Sequence, residues 1–118
     1  MSPSLVLPSR GLVLATNVRR AATVRDRMRG LIGRPLSDGE ALLLAPCRQV
    51  HTFGMTAPID ILFCDAELTV VHVIRRLKPC RMSRICWSAR AVIEVRAGAA
   101  GDLAAGDHLY CDPSMSDS

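Results

Sequence analysis

The sequence predicts a mainly β (α+β) fold, a compact antiparallel β-barrel or sandwich-like single domain with one prominent helix near residues 23–33. Short apolar runs separated by turn residues fill most of the chain, as expected of many short strands. Only residues 23–33 have the spacing of an amphipathic helix. The chain has 118 residues, of which 49% are hydrophobic and 22% charged, which is enough for one folded core.

The first predicted elements are strands followed by the helix. Residues 11–15 and 17–21 are short segments that predict two strands or one bent strand. Thr23 is a candidate helix N-cap, and Gly33 supplies the stop signal. The apolar residues between them have the i, i+4, i+7, i+8 spacing of one helix face: Val24, Met28, Leu31 and Ile32.

The rest of the chain is predicted to be strands and turns. Short extended runs follow at residues 40–45, 50–55, 58–64, 68–74, 89–96 and 108–111. The runs at 58–64 and 68–74 look like a hairpin, with Ile59, Ile61 and Phe63 on one side and Asp60, Leu62 and Cys64 on the other. Residues 75–88 have no clear period and predict a basic loop or an irregular edge.

The domain is expected to span residues 11–111, after an N-terminal segment (1–10) and before a flexible C-terminal tail (112–118). The apolar run near the N-terminus has no preceding positive charge and ends at Pro8, unlike a secretory signal. No uncharged stretch reaches the ~20 apolar residues of a membrane span. We therefore expect a cytoplasmic protein.

The net charge of +4 comes from fourteen Arg and one Lys against eleven acids. The basic residues concentrate in residues 1–35 and 75–96, and acidic blocks follow each of them. These blocks predict either solvated faces paired with their acidic neighbours or a surface for an anionic partner. The four aromatic residues are too few to favour nucleic acid, because single-stranded sites need several rings for base stacking.

The five cysteines include no CxxC pair, so the usual zinc spacing is absent. We interpret the cysteines as reduced thiols. The alternative is a disulfide or redox pair formed by Cys80 and Cys86, which are flanked by Arg81 and Arg84. In an extended strand His51 and Met55 lie ~13 Å apart, which is too far for one copper ion. We expect no metal site and no cofactor.

Polar residues around one turn predict a ligand-binding surface made of Arg48, His51, Thr52, Met55, Asp60 and Glu94. Asp60 and Glu94 interrupt apolar runs, so each must face solvent, a pocket or a buried partner such as an arginine. The alternative is a small hydrolase or lyase that uses Asp60, His51 or Glu94, provided that two of these groups meet in a pocket. The common catalytic motifs GxSxG, HExxH, GxGxxG and the P-loop are absent.

Several short motifs occur in a recognisable order: Arg27-Met-Arg-Gly-Leu31, His51-Thr-Phe-Gly-Met-Thr-Ala-Pro-Ile-Asp60, Phe63-Cys-Asp65, Val92-Ile-Glu-Val95 with Ala97-Gly98, and Gly106-Asp107. Together they resemble the bacterial and archaeal family known as domain of unknown function 192. The resemblance covers roughly residues 11–111 and implies a compact, largely antiparallel β fold with one helix. It supplies no activity. The matching positions with structural uses are Arg27, Gly30, Leu31, Pro58, Gly98 and Asp107.

We therefore expect a small, monomeric, non-enzymatic accessory module that binds a small molecule or a protein segment. The enzyme with Asp60, His51 and Glu94 is the first alternative. Binding of an anionic partner through the arginine-rich segments is the second.

Overall fold

Eight strands in two sheets form the framework of the computed structural model, which describes residues 3–21 and 36–112. In chain order they are β1 (Ser4–Leu7), β2 (Leu12–Ala15), β3 (Asn17–Ala21), β4 (Glu40–Leu44), β5 (Ile59–Cys64), β6 (Val70–Leu77), β7 (Ala91–Arg96) and β8 (Tyr110–Asp112). The smaller sheet has the order β2-β1-β8 and the larger sheet β3-β4-β7-β5-β6. All pairs are antiparallel except β3 with β4.

The predicted β-rich fold is confirmed, but the barrel alternative is wrong. Among the described strands no ladder joins the two edges of the larger sheet, β3 and β6, so that sheet stays open. The sheet does not need to close on itself, because the smaller sheet and the loops cover its two faces. The helix predicted near residues 23–33, with Arg27, Gly30 and Leu31, lies outside the described residues and gains no support from them. Within the described ranges the only helical turn is a 3-10 helix, Pro8–Arg10.

The larger sheet separates two apolar cores. One of them, the sheet-to-sheet core, lies between the two sheets and includes Leu5, Leu7, Leu43, Leu62, Ile93 and Leu109. The other, the loop-covered core, lies on the opposite face and includes Leu42, Val50, Ile59, Ile61, Phe63 and Cys86. Strand β5 is buried along its whole length because it contributes alternate side chains to both cores. This alternation is the one that the sequence predicts.

The chain near its N-terminus is part of the folded structure. Strand β1 is the central strand of the smaller sheet, paired with β2 on one side and β8 on the other. Leu5 and Leu7 are almost completely buried in the sheet-to-sheet core. At the other end of the described chain, Asp112 still pairs with Ser4. Strands from both ends of the described chain therefore hold one sheet together.

The five cysteines are all free thiols, so the structure contains no Cys80–Cys86 disulfide. Cys80 is exposed, whereas Cys86 is buried in the loop-covered core. Cys64 is fully buried in β5, and desolvation, with a smaller effect of the Asp65 carboxylate, raises its pKa from 9.0 to about 12.

These environments predict a wide difference in thiol reactivity, because the thiolate is the reactive form and must be reached by the reagent. In the folded protein at about pH 8, a maleimide should label Cys80 rapidly and leave Cys64 unlabelled until the chain unfolds. Peptide mass spectrometry after short labelling measures both sites, and Cys80→Ser should remove the fast phase. Equal labelling of Cys64 and Cys80 in the native protein would contradict the assigned burial.

Candidate functional site

Two irregular segments, residues 48–53 and 81–87, pair antiparallel over the loop-covered core, and we call them the outer ribbon. His51 and Met82 form a bridge between the two segments. Close hydrogen bonds hold the segments together: Cys86 N–H to Arg48 O at 2.8 Å, Ser83 N–H to Val50 O at 2.9 Å, Val50 N–H to Ser83 Oγ at 3.0 Å and Thr52 N–H to Arg81 O at 2.8 Å. The ribbon is therefore a fixed part of the fold although the sequence shows no strand period there.

Thr52 is buried and holds the ribbon to the neighbouring loop. Its hydroxyl donates to the Lys78 carbonyl at 2.6 Å and accepts from the Arg81 N–H at 2.9 Å. Its carbonyl accepts from the N–H groups of Cys80, at 3.1 Å, and Met55, at 3.2 Å. Thr52, one of the predicted binding residues, has no exposed surface, and its hydrogen bonds join the ribbon to this loop.

Asp60 is likewise a buried structural group. One carboxylate oxygen accepts from the Arg76 N–H at 2.8 Å, and the other accepts from Gly98 N–H at 2.9 Å and Ala100 N–H at 3.0 Å. Arg76 has φ +56° and lies where the register between β5 and β6 is irregular. Such an irregularity removes an amide from the ladder, and the carboxylate supplies the missing acceptor.

Glu94 lies on the opposite face of the larger sheet from Asp60. It is completely buried, and its lateral neighbours Leu42 and Ile61 belong to the loop-covered core. Asp60 faces the sheet-to-sheet core, so the two carboxylates cannot share one pocket. His51 lies in the ribbon, where its ring stacks on Phe53 at 4.9 Å and its Nδ1 accepts from the Phe53 N–H at 3.3 Å. Because Asp60 and Glu94 lie on opposite faces of the sheet, these two carboxylates do not form the acid–base pair that the enzyme alternative needs.

The outward surface of the ribbon is apolar. Trp87 is 75% exposed and Met82 is 59% exposed, and Phe53 and Ile85 are also exposed. Of the predicted binding residues, Arg48 is exposed and His51 and Met55 are half-buried in this region. Sequence reasoning did not single out Met82 or Trp87 as exposed residues. The only available signal was a run of large apolar residues, 82–87, interrupted by Ser and Arg.

The ribbon and its flanking loops carry only positive charge. Residues 46–57 and 75–90 contain no Asp or Glu. Arg48, Arg81 and Arg84 are exposed, and none takes part in the ion pairs of the described chain, which are Arg10–Asp102, Arg19–Glu40 and Arg96–Asp38. Arg48 Nε donates to the Trp87 carbonyl at 3.3 Å, which links one cation to the exposed indole residue. Within the described part of the chain, no ion pair therefore neutralises these three arginines.

Metal-ligand clusters and membrane-spanning helices are both absent from the described residues. No cluster of three or more His, Cys, Asp or Glu side chains there could hold a metal ion. Within the same ranges no helix is long and apolar enough to span a bilayer.

Two solved structures are similar to this chain in fold. A protein of unknown function from Novosphingobium aromaticivorans is 22% identical with a TM-score of 0.75, and the match covers 92% of this chain and 83% of that one. A protein from Sinorhizobium meliloti, described as a "putative transcription regulator", is 21% identical with a TM-score of 0.73, covering 92% and 91%. No curated protein matches the sequence. The uncharacterised family DUF192 (Uncharacterized ACR) matches residues 6–110, which is most of the chain, and the chain therefore belongs to the DUF192 family.

Proposed function

We propose that the protein is a non-enzymatic recognition module whose outer ribbon binds an acidic, partly apolar segment of a partner protein. The observation that carries the proposal is the 75% exposure of Trp87 on a ribbon whose inner side is firmly hydrogen-bonded. Exposed large aromatic residues on a rigid support are characteristic of interface anchors.

The composition of the ribbon favours a protein partner. Protein interfaces are enriched in Trp, Phe, Met and Arg and depleted in Lys and acids. The ribbon presents Trp87, Phe53 and Met82 with three exposed arginines and no acid. Arginine binds carboxylates through a planar fork of donors, so a segment with Glu or Asp beside apolar residues matches both features.

A short synthetic peptide in which Glu alternates with Leu and Phe, labelled with fluorescein, tests the proposal by fluorescence anisotropy. We expect saturable binding that weakens with salt, because part of the attraction is between charges. Trp87→Ala and Arg84→Gln should each weaken binding by about tenfold. Trp87 is the only tryptophan in the chain, so its emission reports the ribbon directly.

The matched controls lie elsewhere on the molecule. Tyr110→Ala removes a half-exposed ring from β8, and Arg20→Gln removes an exposed arginine from β3, and neither should change peptide affinity. Two further ligands test other kinds of partner. The description of the Sinorhizobium meliloti protein motivates a test with nucleic acid, and the Trp–Arg surface motivates a test with a membrane. Tighter binding to a single-stranded oligonucleotide or to vesicles of anionic phospholipid than to the peptide would overturn the protein-partner proposal.

A further inference from the structure

A cavity lies at one end of the sheet-to-sheet core, and no residue of the outer ribbon lines it. The cavity has a volume of about 460 Å³, within the range of ~300–1,000 Å³ that small-molecule pockets occupy. Its lining includes the side chains of Leu43, Leu68 and Ala91, together with Arg20 and Arg90.

The apolar part of this cavity is formed by well-packed residues. Leu43 and Ala91 are buried members of the sheet-to-sheet core. Leu68 packs against the same core with a φ of +64°, a left-handed conformation that is strained for a residue with a branched side chain. Hydrogen bonds from Leu68 N–H to Asp65 O and from Leu109 N–H to Leu68 O hold it there, at 3.1 and 3.0 Å. The wall is thus held in place by its surroundings.

The charged part of the cavity consists of Arg20 on β3 and Arg90 directly before β7, and β4 lies between these two strands. Arg20 is in register with Leu43 on the neighbouring parallel strand, so its side chain starts from the same face of the sheet. The backbone of Arg90 is fixed on both sides, by its N–H to Cys64 O at 2.8 Å and by Cys47 N–H to its carbonyl at 3.1 Å. Both side chains are exposed, and no ion pair of the described residues includes either of them.

Among the described residues, no ion pair joins an acid near the cavity to Arg20 or Arg90. Asp65, in the adjacent β5–β6 turn, is not part of the lining. Its Oδ1 accepts from the N–H groups of Glu67 and Thr69, both at 2.9 Å, and this caps the turn. Burial raises the pKa of the Cys111 thiol, and the nearby Arg20 guanidinium partly opposes that rise. The described residues thus form a pocket with an apolar wall and two guanidinium groups that take part in none of their ion pairs.

We propose that this cavity binds a small amphipathic anion, with an apolar chain against Leu43, Leu68 and Ala91 and a carboxylate or similar head between Arg20 and Arg90. The apolar lining accounts for the chain, and the two planar donor forks account for the anionic head. This ligand is of a different class from the protein segment proposed for the ribbon, and its site does not use Phe53, Met82 or Trp87.

Octanoate is the test probe, and octan-1-ol and acetate separate the contributions of chain and charge. When the full chain is titrated with octanoate, the amide chemical shifts of residues 66–68 and 90–91 should change, and those of residues 51–53 should not. Octanoate should bind at least about tenfold more tightly than either comparison compound. Arg20→Gln and Arg90→Gln should each weaken octanoate binding by about tenfold, and Arg20→Lys, which keeps the charge but loses the fork, should weaken it less.

The control variant Arg84→Gln lies on the ribbon and should leave octanoate affinity unchanged while it weakens peptide binding. Thermal melting of each variant verifies that the fold is intact before affinities are compared. The cavity proposal is overturned if octanol binds as tightly as octanoate, if the shifts map to the ribbon, or if neither glutamine variant weakens binding. Each of those results leaves the peptide experiment unaffected, so the two proposals fail separately.

Discussion

Replacing Asp60 with alanine should lower the free energy of unfolding by about 3–5 kcal/mol, measured by urea denaturation. The variant leaves three N–H groups, of Arg76, Gly98 and Ala100, without their acceptor beside the sheet-to-sheet core. Each buried donor that loses its partner costs about 1–3 kcal/mol, with incomplete additivity. The left-handed conformation of Arg76 would also lose the contact that fixes it.

Two comparison variants separate this structural role from a binding role. Asp60→Asn has nearly the same volume, but it places an amide NH₂ among N–H donors and should recover only part of the lost stability. His51→Ala should cost less than Asp60→Ala, because the His51 ring is half-buried, whereas the buried Asp60 carboxylate accepts from three backbone N–H groups. An Asp60→Ala variant as stable as His51→Ala would show that the carboxylate does not support the fold.

The sequence predicts the local features of this structure well. The two-residue alternation of β5 assigns Asp60, Leu62 and Cys64 to one side, and the two cores confirm it. The hairpin of β5 and β6 also forms as predicted. Both features depend on residues close in sequence, where side-chain period and turn composition are sufficient.

Sheet closure could not be predicted in the same way. Short strands buried on both faces fit a barrel and an open sheet between two covering layers equally well. The structure is decided by pairings between distant segments, such as β1 with β8 and β3 with β4. These pairings depend on which edges meet in three dimensions, and no local pattern contains that information.

The candidate site was only partly predictable for a related reason. Asp60 and Thr52 are polar residues in or beside apolar runs, and such residues are either ligand contacts or acceptors for backbone groups. Only their partners distinguish these cases, and here both bind backbone amides of distant loops. The exposure of Trp87 could not be predicted, because the ribbon pairs irregularly and its inward and outward residues do not alternate with a period of two. Ser83 Oγ, for example, accepts from the Val50 N–H in place of a backbone carbonyl.

Replacing Thr52 with valine should lower the free energy of unfolding by about 2–3 kcal/mol. Valine has the shape of threonine, so the core is unchanged, but the Arg81 N–H and the Lys78 carbonyl lose the hydroxyl that joins them. Thr52→Ser keeps the hydroxyl and should retain most of the stability. Amide hydrogen exchange should show faster exchange at Arg81 in the valine variant, because its N–H is no longer held.

The same variant connects the stability of the fold to the proposed function of the ribbon. Thr52 has no exposed surface, so any change in peptide affinity in Thr52→Val must act through the position of Met82 and its neighbours. We expect peptide binding to weaken together with the loss of protection at Arg81, and octanoate binding to remain unchanged, since the cavity at Arg20 and Arg90 does not contact the ribbon's outer side. Unchanged peptide affinity with a loosened ribbon would contradict the part of the proposal that requires a rigid support for Trp87.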